Sequence, residues 1–303
     1  MIAALTLCCF APAGAEAPAA GDGAPKHFLW KVVGPKGVVY LLGTIHVGKA
    51  DFYPLPSIIE DSFNKADMLI EEIDLSEIAR SPAEANRLAL KLIEDGSYPN
   101  GDTITNHLSE VTRSHLSAYL KKGGHSEETV AHLRPWLVAD LILDWEMKRI
   151  GFDAAYGLDI HFVEEAQQSH KEIGALEDAD SQLKQLSSGS EEFQDRLLLN
   201  ELVNLEKWPD VMNLLTRAWQ SGDTAALQQV ITSIGDYPQL EPLPPEPLMT
   251  KQLDDRNTVM TAQIERFLQT PKGYFVAVGA RHLLGDNGIL SQLQRKNFMV
   301  EQL

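Results

Sequence analysis

Apolar residues fall into two rhythms along this chain: alternating or continuous short runs near both ends, and helical spacing through the middle. "FLWKVV" (28–33) and "VVYLL" (38–42) are β-prone and separated by "GPKG", whose Gly and Pro suit a tight turn, so they predict a hairpin. "PLPSIIEDSFNKA" (54–66) places Ile58, Ile59 and Phe63 on one helical face behind a proline, and "ADMLIEEID" (66–74) returns to a strand. Strand, helix and strand at this distance predict a βαβ unit, a parallel pair with a right-handed crossover.

From Ser76 to about Phe152 the pattern is helical throughout. "PWLVADLILDWEM" (135–147) is apolar on nearly every side, as expected of a helix buried inside a helical subdomain of about 76–155. "HKEIGALED" (170–178) predicts a return to the sheet, and further helices fill roughly 180–233. The Pro-rich "YPQLEPLPPEP" (237–247) reads as a rigid connector. A helix over about 248–270, the strand "YFVAV" (274–278), the helix "GILSQLQRK" and the strand "FMVEQL" close the chain. The expected fold is mixed α/β: one domain over 28–303, with a central mixed sheet built from the N- and C-terminal segments and a largely helical middle inserted. No repeat at a solenoid period is present.

Composition narrows the partners. With 303 residues, 44% hydrophobic and 23% charged, the chain is an ordinary globular protein in its proportions. A net charge of −17 argues against nucleic acid and against an anionic membrane surface, since both would be repelled. Ile2 to Phe10 is apolar and is followed by "APAGAEAPAA", which offers cleavage after Ala15 or Ala17. Residues 1–17 therefore read as a secretory signal and 18–27 as a linker, although the positive n-region is missing, and the expected location is periplasmic or secreted. Both cysteines, Cys8 and Cys9, lie in that signal, so a processed chain has no thiol chemistry. Leu7 is larger than the small residue a lipoprotein site wants before its cysteine. No transmembrane segment is expected in the mature chain: the most apolar helix is too short and carries Asp140 and Asp144.

Candidate chemistry lies where strands end. "YLLGTIHVG" (40–48) and "YFVAVGARHLLG" (274–285) share one layout, an apolar run, a glycine, and a histidine three residues on: Gly43 with His46, and Gly279 with His282. Ligands of α/β sheets bind outside the carboxyl ends of the strands, and Glu71 and Glu72 close the strand between the two copies. One histidine after a strand is most often a turn or core residue; a duplicated motif with a carboxylate nearby matches a His₂Glu metal site with open positions for water. Imidazole ligands suit Mn²⁺, Co²⁺ or Zn²⁺ and not Ca²⁺. Gly43 and Gly279 are expected to supply backbone angles for a sharp turn. Successive strand residues face opposite sides, so one of Glu71 and Glu72 is expected to be solvated.

"FLWKVVGPKGVVYLLGTIHVG", "ADMLIEEIDL", "GLDIHF", "DDRN" and "VAVGARHLLGDNGILSQLQRKNF" together resemble the TraB/GumN family, which includes the Tiki proteases that cleave secreted Wnt proteins. The resemblance runs from about residue 28 to the C-terminus. It implies a metal-dependent hydrolase with paired G-x-x-H motifs, and its E-x-D step falls on Glu72, Ile73 and Asp74, which favours Glu72 over Glu71. Asp159 in "GLD" resembles the family's G-V-D step, as a partner that orients a ligand histidine; a helix N-cap is the alternative. Glu177 ends "EIGAL" and could line the same mouth, but the family's following threonine is Asp178 here. Arg256 in "DDRN" is a candidate to hold a substrate carboxylate or an oxyanion, or else a buried helix ion pair. Arg281 stands where relatives commonly have a small or apolar residue.

The leading expectation is a metal-dependent hydrolase, most plausibly a peptidase acting on a peptide or protein substrate, with His46, Glu72 and His282 on the metal and Glu72 and Arg256 in catalysis. No G-x-S-x-G elbow suggests a serine nucleophile. The alternatives are a non-enzymatic peptide-binding or sequestering protein, and an accessory protein of envelope or polysaccharide assembly. Seven further histidines read as surface residues, with His161, two positions past Asp159, the one to watch.

Overall fold

The computed structural model describes residues 26–99, 101–233 and 247–303. The expected signal over 1–17, nearly all of the linker and all but the end of the Pro-rich connector lie outside those residues.

The predicted hairpin forms from β1 (Leu29–Val33) and β2 (Val38–Thr44), antiparallel with Leu29 opposite Leu42 and Val33 opposite Val38. The other strands are β3 (Met68–Glu71), β4 (Glu172–Ala175), β5 (Gly273–Gly279) and β6 (Met299–Gln302). Together they make one mixed sheet in the order β4-β3-β5-β2-β1-β6, built from both ends of the chain as the pattern predicts. One expectation fails. β2 and β3 are not neighbours, because β5 pairs in parallel with both and lies between them. Its sequence GYFVAVG is buried almost throughout, and a continuously apolar strand belongs where both faces and both edges are covered. The strand predicted over 66–74 also stops early. Asp74 accepts the N–H of Glu77 and caps the next helix, which turns the chain out of the sheet.

Helix α1 (Ser57–Lys65) links β2 to β3. Between β3 and β4 run α2 (Leu75–Arg80), α3 (Pro82–Gly96), α4 (Glu110–Gly123), α5 (Pro135–Arg149) and α6 (Leu158–Gln168). After β4 come α7 (Ala179–Leu186), α8 (Glu191–Asn204), α9 (Trp208–Gln220), α10 (Thr224–Ser233) and α11 (Pro247–Phe267), and α12 (Ala280–Leu283) and α13 (Ile289–Arg295) separate β5 from β6. One core packs around the sheet, with Phe28, Leu41, Phe63, Phe162 and Phe275 at its centre; a second joins α4, α5 and α8 through Leu116, Leu120, Val138, Ile142 and Leu198. Among the described residues no helix is long and apolar enough to cross a membrane.

Four parallel strands, β2, β5, β3 and β4, end on one side of the sheet. The two motif glycines sit there, and their requirement is space, not the backbone freedom expected of them. Gly279 has φ −48° and Gly43 is not among the glycines with positive φ. A Cβ on Gly43 would lie 2.5 Å from the Phe28 ring, and one on Gly279 would lie 3.1 Å from both Glu72 Oε1 and His46 Nε2. The indole of Trp219, on α9, donates to the Gly43 carbonyl at 2.6 Å and so ties the helical half of the chain to the first motif.

Candidate metal centre

His46 leaves the end of β2 and is caught at once by Asp159. Its Nδ1 lies 2.8 Å from Asp159 Oδ2, while Asp159 Oδ1 accepts the Thr44 hydroxyl at 2.8 Å. Asp159 sits in the first turn of α6, whose N-cap is Gly157 with no side-chain cap. Its carboxylate therefore serves the histidine, and the positive end of the helix favours its charge. Nε2 of His46 is buried without a partner.

His282 repeats the arrangement from α12. It is fully buried, its Nδ1 lies 2.6 Å from Asn257 Oδ1, and its Nε2 has no hydrogen-bond partner. Asn257 donates its amide to the Asn287 carbonyl, which leaves Oδ1 turned to the imidazole as an acceptor. Each ring thus has its Nδ1–H committed to an oxygen and its Nε2 directed inwards, the arrangement that prepares a histidine to ligate a cation.

Glu72 stands one residue beyond β3. Oε1 accepts the Gly279 N–H at 2.7 Å and lies 3.5 Å from His282 Nε2. Oε2 accepts from Arg256 at 2.9 Å and from Gln182 at 3.3 Å. Arg256, on α11, is also forked onto Glu177, at 2.8 and 3.0 Å from Nε. Arg256 is thus a largely buried ion pair, the second of its two readings, and it touches the candidate site through Glu72.

The charges are strongly coupled. Burial is the largest influence on Glu72 and works to raise its pKa, but His282, Arg256, His46 and the Gly279 N–H together hold it down to about 2. Burial likewise works to lower His46, yet Asp159 and Glu72 outweigh it and push the ring up to about 9. His282, whose nearest oxygen is an uncharged amide, is held down to about 4 by burial, with Arg256, Arg281 and His46 adding to it and Glu72 opposing. Burial and partners thus push the two rings in opposite directions, His46 up and His282 down.

Glu71 corrects the expectation that one of the pair is solvated. It does face away from Glu72, but it is only 2% exposed, with neither carboxylate oxygen partnered. Helix α6 and the Asp74 turn cover that face. Burial first, then Asp159 and Asp74, push its carboxyl up to about 9, so it is held neutral.

His46, Glu72, His282, Asp159, Glu177 and Arg256 are thus brought together. His161 is not: it pairs with Glu60 at 3.2 Å and packs on Tyr53. The sequence pattern did not single out Asn257, Gln182 or Trp219; only Asn257, beside Arg256 in "DDRN", stood in a quoted motif. Among the described residues no three His, Cys, Asp or Glu side chains are drawn together closely enough to hold a metal ion as they stand. The donor set fits one nonetheless. The unpartnered Nε2 of His46 and a carboxylate oxygen of Glu72 both border the space that a Cβ on Gly279 would fill, and the unpartnered Nε2 of His282 lies 3.5 Å from that same oxygen.

The chain is 26% identical over 259 residues to the uncharacterized protein YbaP of Escherichia coli, covering 84% of this chain and 87% of that protein. It is 26% identical to an uncharacterized protein of Treponema pallidum over 69% of this chain and 62% of that one. Metalloprotease TIKI2 of Xenopus tropicalis is also 26% identical, over 91% of this chain but only 60% of its own length. No solved structure matches. The model of the TraB/PrgY/gumN family matches residues 28–302, and the chain belongs to that family.

Proposed function

We propose that this protein is a metal-dependent hydrolase of peptide bonds, acting in the periplasm or outside the cell. The observation that carries the reading is the pair of buried, unpartnered Nε2 atoms on His46 and His282, each with its Nδ1 tied to an oxygen, close to Glu72. The metalloprotease named among the relatives supports it. His46, Glu72 and His282 would hold the ion, with Mn²⁺, Co²⁺ and Zn²⁺ suited to two imidazoles and a carboxylate. When bound, such an ion polarises a scissile carbonyl and lowers the pKa of its water towards about 7. Asp159 and Asn257 fix the two rings. Gly279 N–H and Arg256 keep Glu72 ionised, ready to ligate or to take a proton from water. Arg256, already facing the carboxylate, is placed to shift its guanidinium towards an oxyanion or a substrate carboxylate.

A second reading, peptide capture without cleavage, is favoured by Arg256 alone, since its bond to Glu72 Oε2 already occupies one oxygen a base would use. Hydrolysis of an unstructured peptide with added Mn²⁺ or Zn²⁺ separates the two. His46→Ala, His282→Ala and the double variant should share the same near-zero turnover, as groups that act as a unit do. Two independent packing roles would instead cost about 1 kcal/mol of stability each and add, leaving activity in the folded fraction. Substantial metal-dependent turnover in either single variant overturns the reading.

A further inference from the structure

β4 is the edge of the sheet next to the candidate site, and its outer flank is unpaired. Leu176 donates its N–H to the Glu71 carbonyl, and the β3–β4 register sets Glu71 opposite Ala175. In a parallel ladder one residue turns both backbone groups to the neighbouring strand and the next turns both away. Gly174 therefore faces β3, as the Leu176 N–H does, while Ile173 and Ala175 direct their N–H and C=O groups out of the sheet; past the strand the alternation ends, with the Leu176 carbonyl accepting from Gln263 Nε2 at 2.6 Å and the Glu177 N–H donating to the Glu72 carbonyl at 2.8 Å. Among the described residues these outward groups make no hydrogen bond.

Natural edges are blunted by lysine, proline, bulges or a covering element. β4 has the sequence EIGA, with its one charge at the start, and Ile173, Gly174 and Ala175 are all partly exposed. The chain then runs directly into the site, through Leu176 to Glu177, which grips the Arg256 that grips Glu72. The opposite edge, β6, is separated from the site-bearing strands by β1.

We propose that the outer edge of β4 binds an extended peptide as an added strand, through the backbone groups of Ile173 and Ala175, and so leads a peptide substrate to the site above β3 and β5. Its role in delivery rests on the peptidase reading; the binding itself does not. Recognition would be by main chain and thus tolerant of sequence, needing free amides at alternate positions. A strand beside β4 lies two strand spacings, about 10 Å, from β3, so the bond to be cut stands roughly three residues beyond the paired segment.

The test uses a fluorescein-labelled decapeptide of alternating valine and serine and the full metal-free chain. Ile173→Pro and Ala175→Pro each remove one outward N–H without breaking a ladder bond, a change edge strands accept. Each should weaken binding about threefold to tenfold, at an unchanged unfolding midpoint. The fully N-methylated peptide should not bind. In the unsubstituted chain the peptide should slow hydrogen exchange at the Ile173 and Ala175 amides, a readout that needs no variant to fold. With metal added, KM should rise by the binding factor while kcat holds. Peptide binding indifferent to both prolines, no exchange protection at these amides, or no binding at all overturns the proposal. Binding at the edge without any cleavage would instead sink the peptidase reading and leave the edge standing.

Discussion

Glu71 and Glu72 are consecutive, almost equally hidden at 2% and 6% exposure, and driven in opposite directions. Burial alone acts alike on both. The difference is what each face of the sheet presents. Glu72 meets two imidazoles, a guanidinium and a backbone N–H, and falls to about 2; Glu71 has the carboxylates of Asp159, Asp74 and Glu72 around it, with only the Leu75 backbone N–H opposing them, and rises to about 9. Depth therefore marks neither residue as functional. A buried charge is kept only where compensating groups converge, and that convergence is what a cation site requires.

The sharpest way to break this comparison is to neutralise each carboxylate in turn. Glu72→Gln should lower metal-dependent turnover by about a thousandfold or more, since it neutralises the carboxylate proposed to ligate the ion or to take a proton. Glu71→Gln should stay within a few-fold of the unsubstituted chain. Equal losses in a steady-state peptide assay would show that the two faces are not functionally distinct.

An intermediate effect is expected one layer out. Asp159→Asn and Asn257→Ala leave His46 and His282 in place but loosen their rings, and each should weaken metal affinity or turnover about 10- to 100-fold. Competition with a coloured chelator measures this. An unchanged affinity in both would mean that the two Nδ1 contacts only pack the core.

The variant with the smallest effect on turnover separates the faces by stability. A carboxyl raised to about 9 when folded, and ordinary when unfolded, binds its proton more tightly in the folded chain. The stability it contributes is complete below the ordinary carboxylate pKa and drains away as pH climbs towards 9. Glu71→Gln is neutral at every pH, so it should stabilise the protein at pH 8 by on the order of 4 kcal/mol and change little at pH 4. Urea unfolding at the two pH values checks the sign; a loss of stability at pH 8 would mean that Glu71 is ionised and partnered.

The same pair shows what the sequence could and could not convey. Alternation along β3 correctly put Glu71 and Glu72 on opposite faces. It could not show that both sides are covered at the end of β3, so that neither glutamate meets solvent. The hairpin, β5 and the helices were legible because turn residues and apolar period are local. The insertion of β5 between β2 and β3 was not, because pairing between segments some 200 residues apart leaves no local mark. His46 and His282 announced themselves by a repeated motif, and Glu72 by its strand end and the family resemblance. Asn257, Gln182 and Trp219 act from helices whose seating on the sheet depends on tertiary packing.

The central claim is that His46 and His282 turn their free nitrogens to one shared ion beside Glu72. Calorimetric titration of Mn²⁺ or Zn²⁺ into chelator-treated protein tests it most directly. The unsubstituted chain should bind a single ion tightly, and His46→Ala and His282→Ala should each abolish that tight binding while unfolding at the midpoint of the metal-free protein. If either variant retains one ion with unchanged affinity, the two histidines do not share a site and the account is wrong.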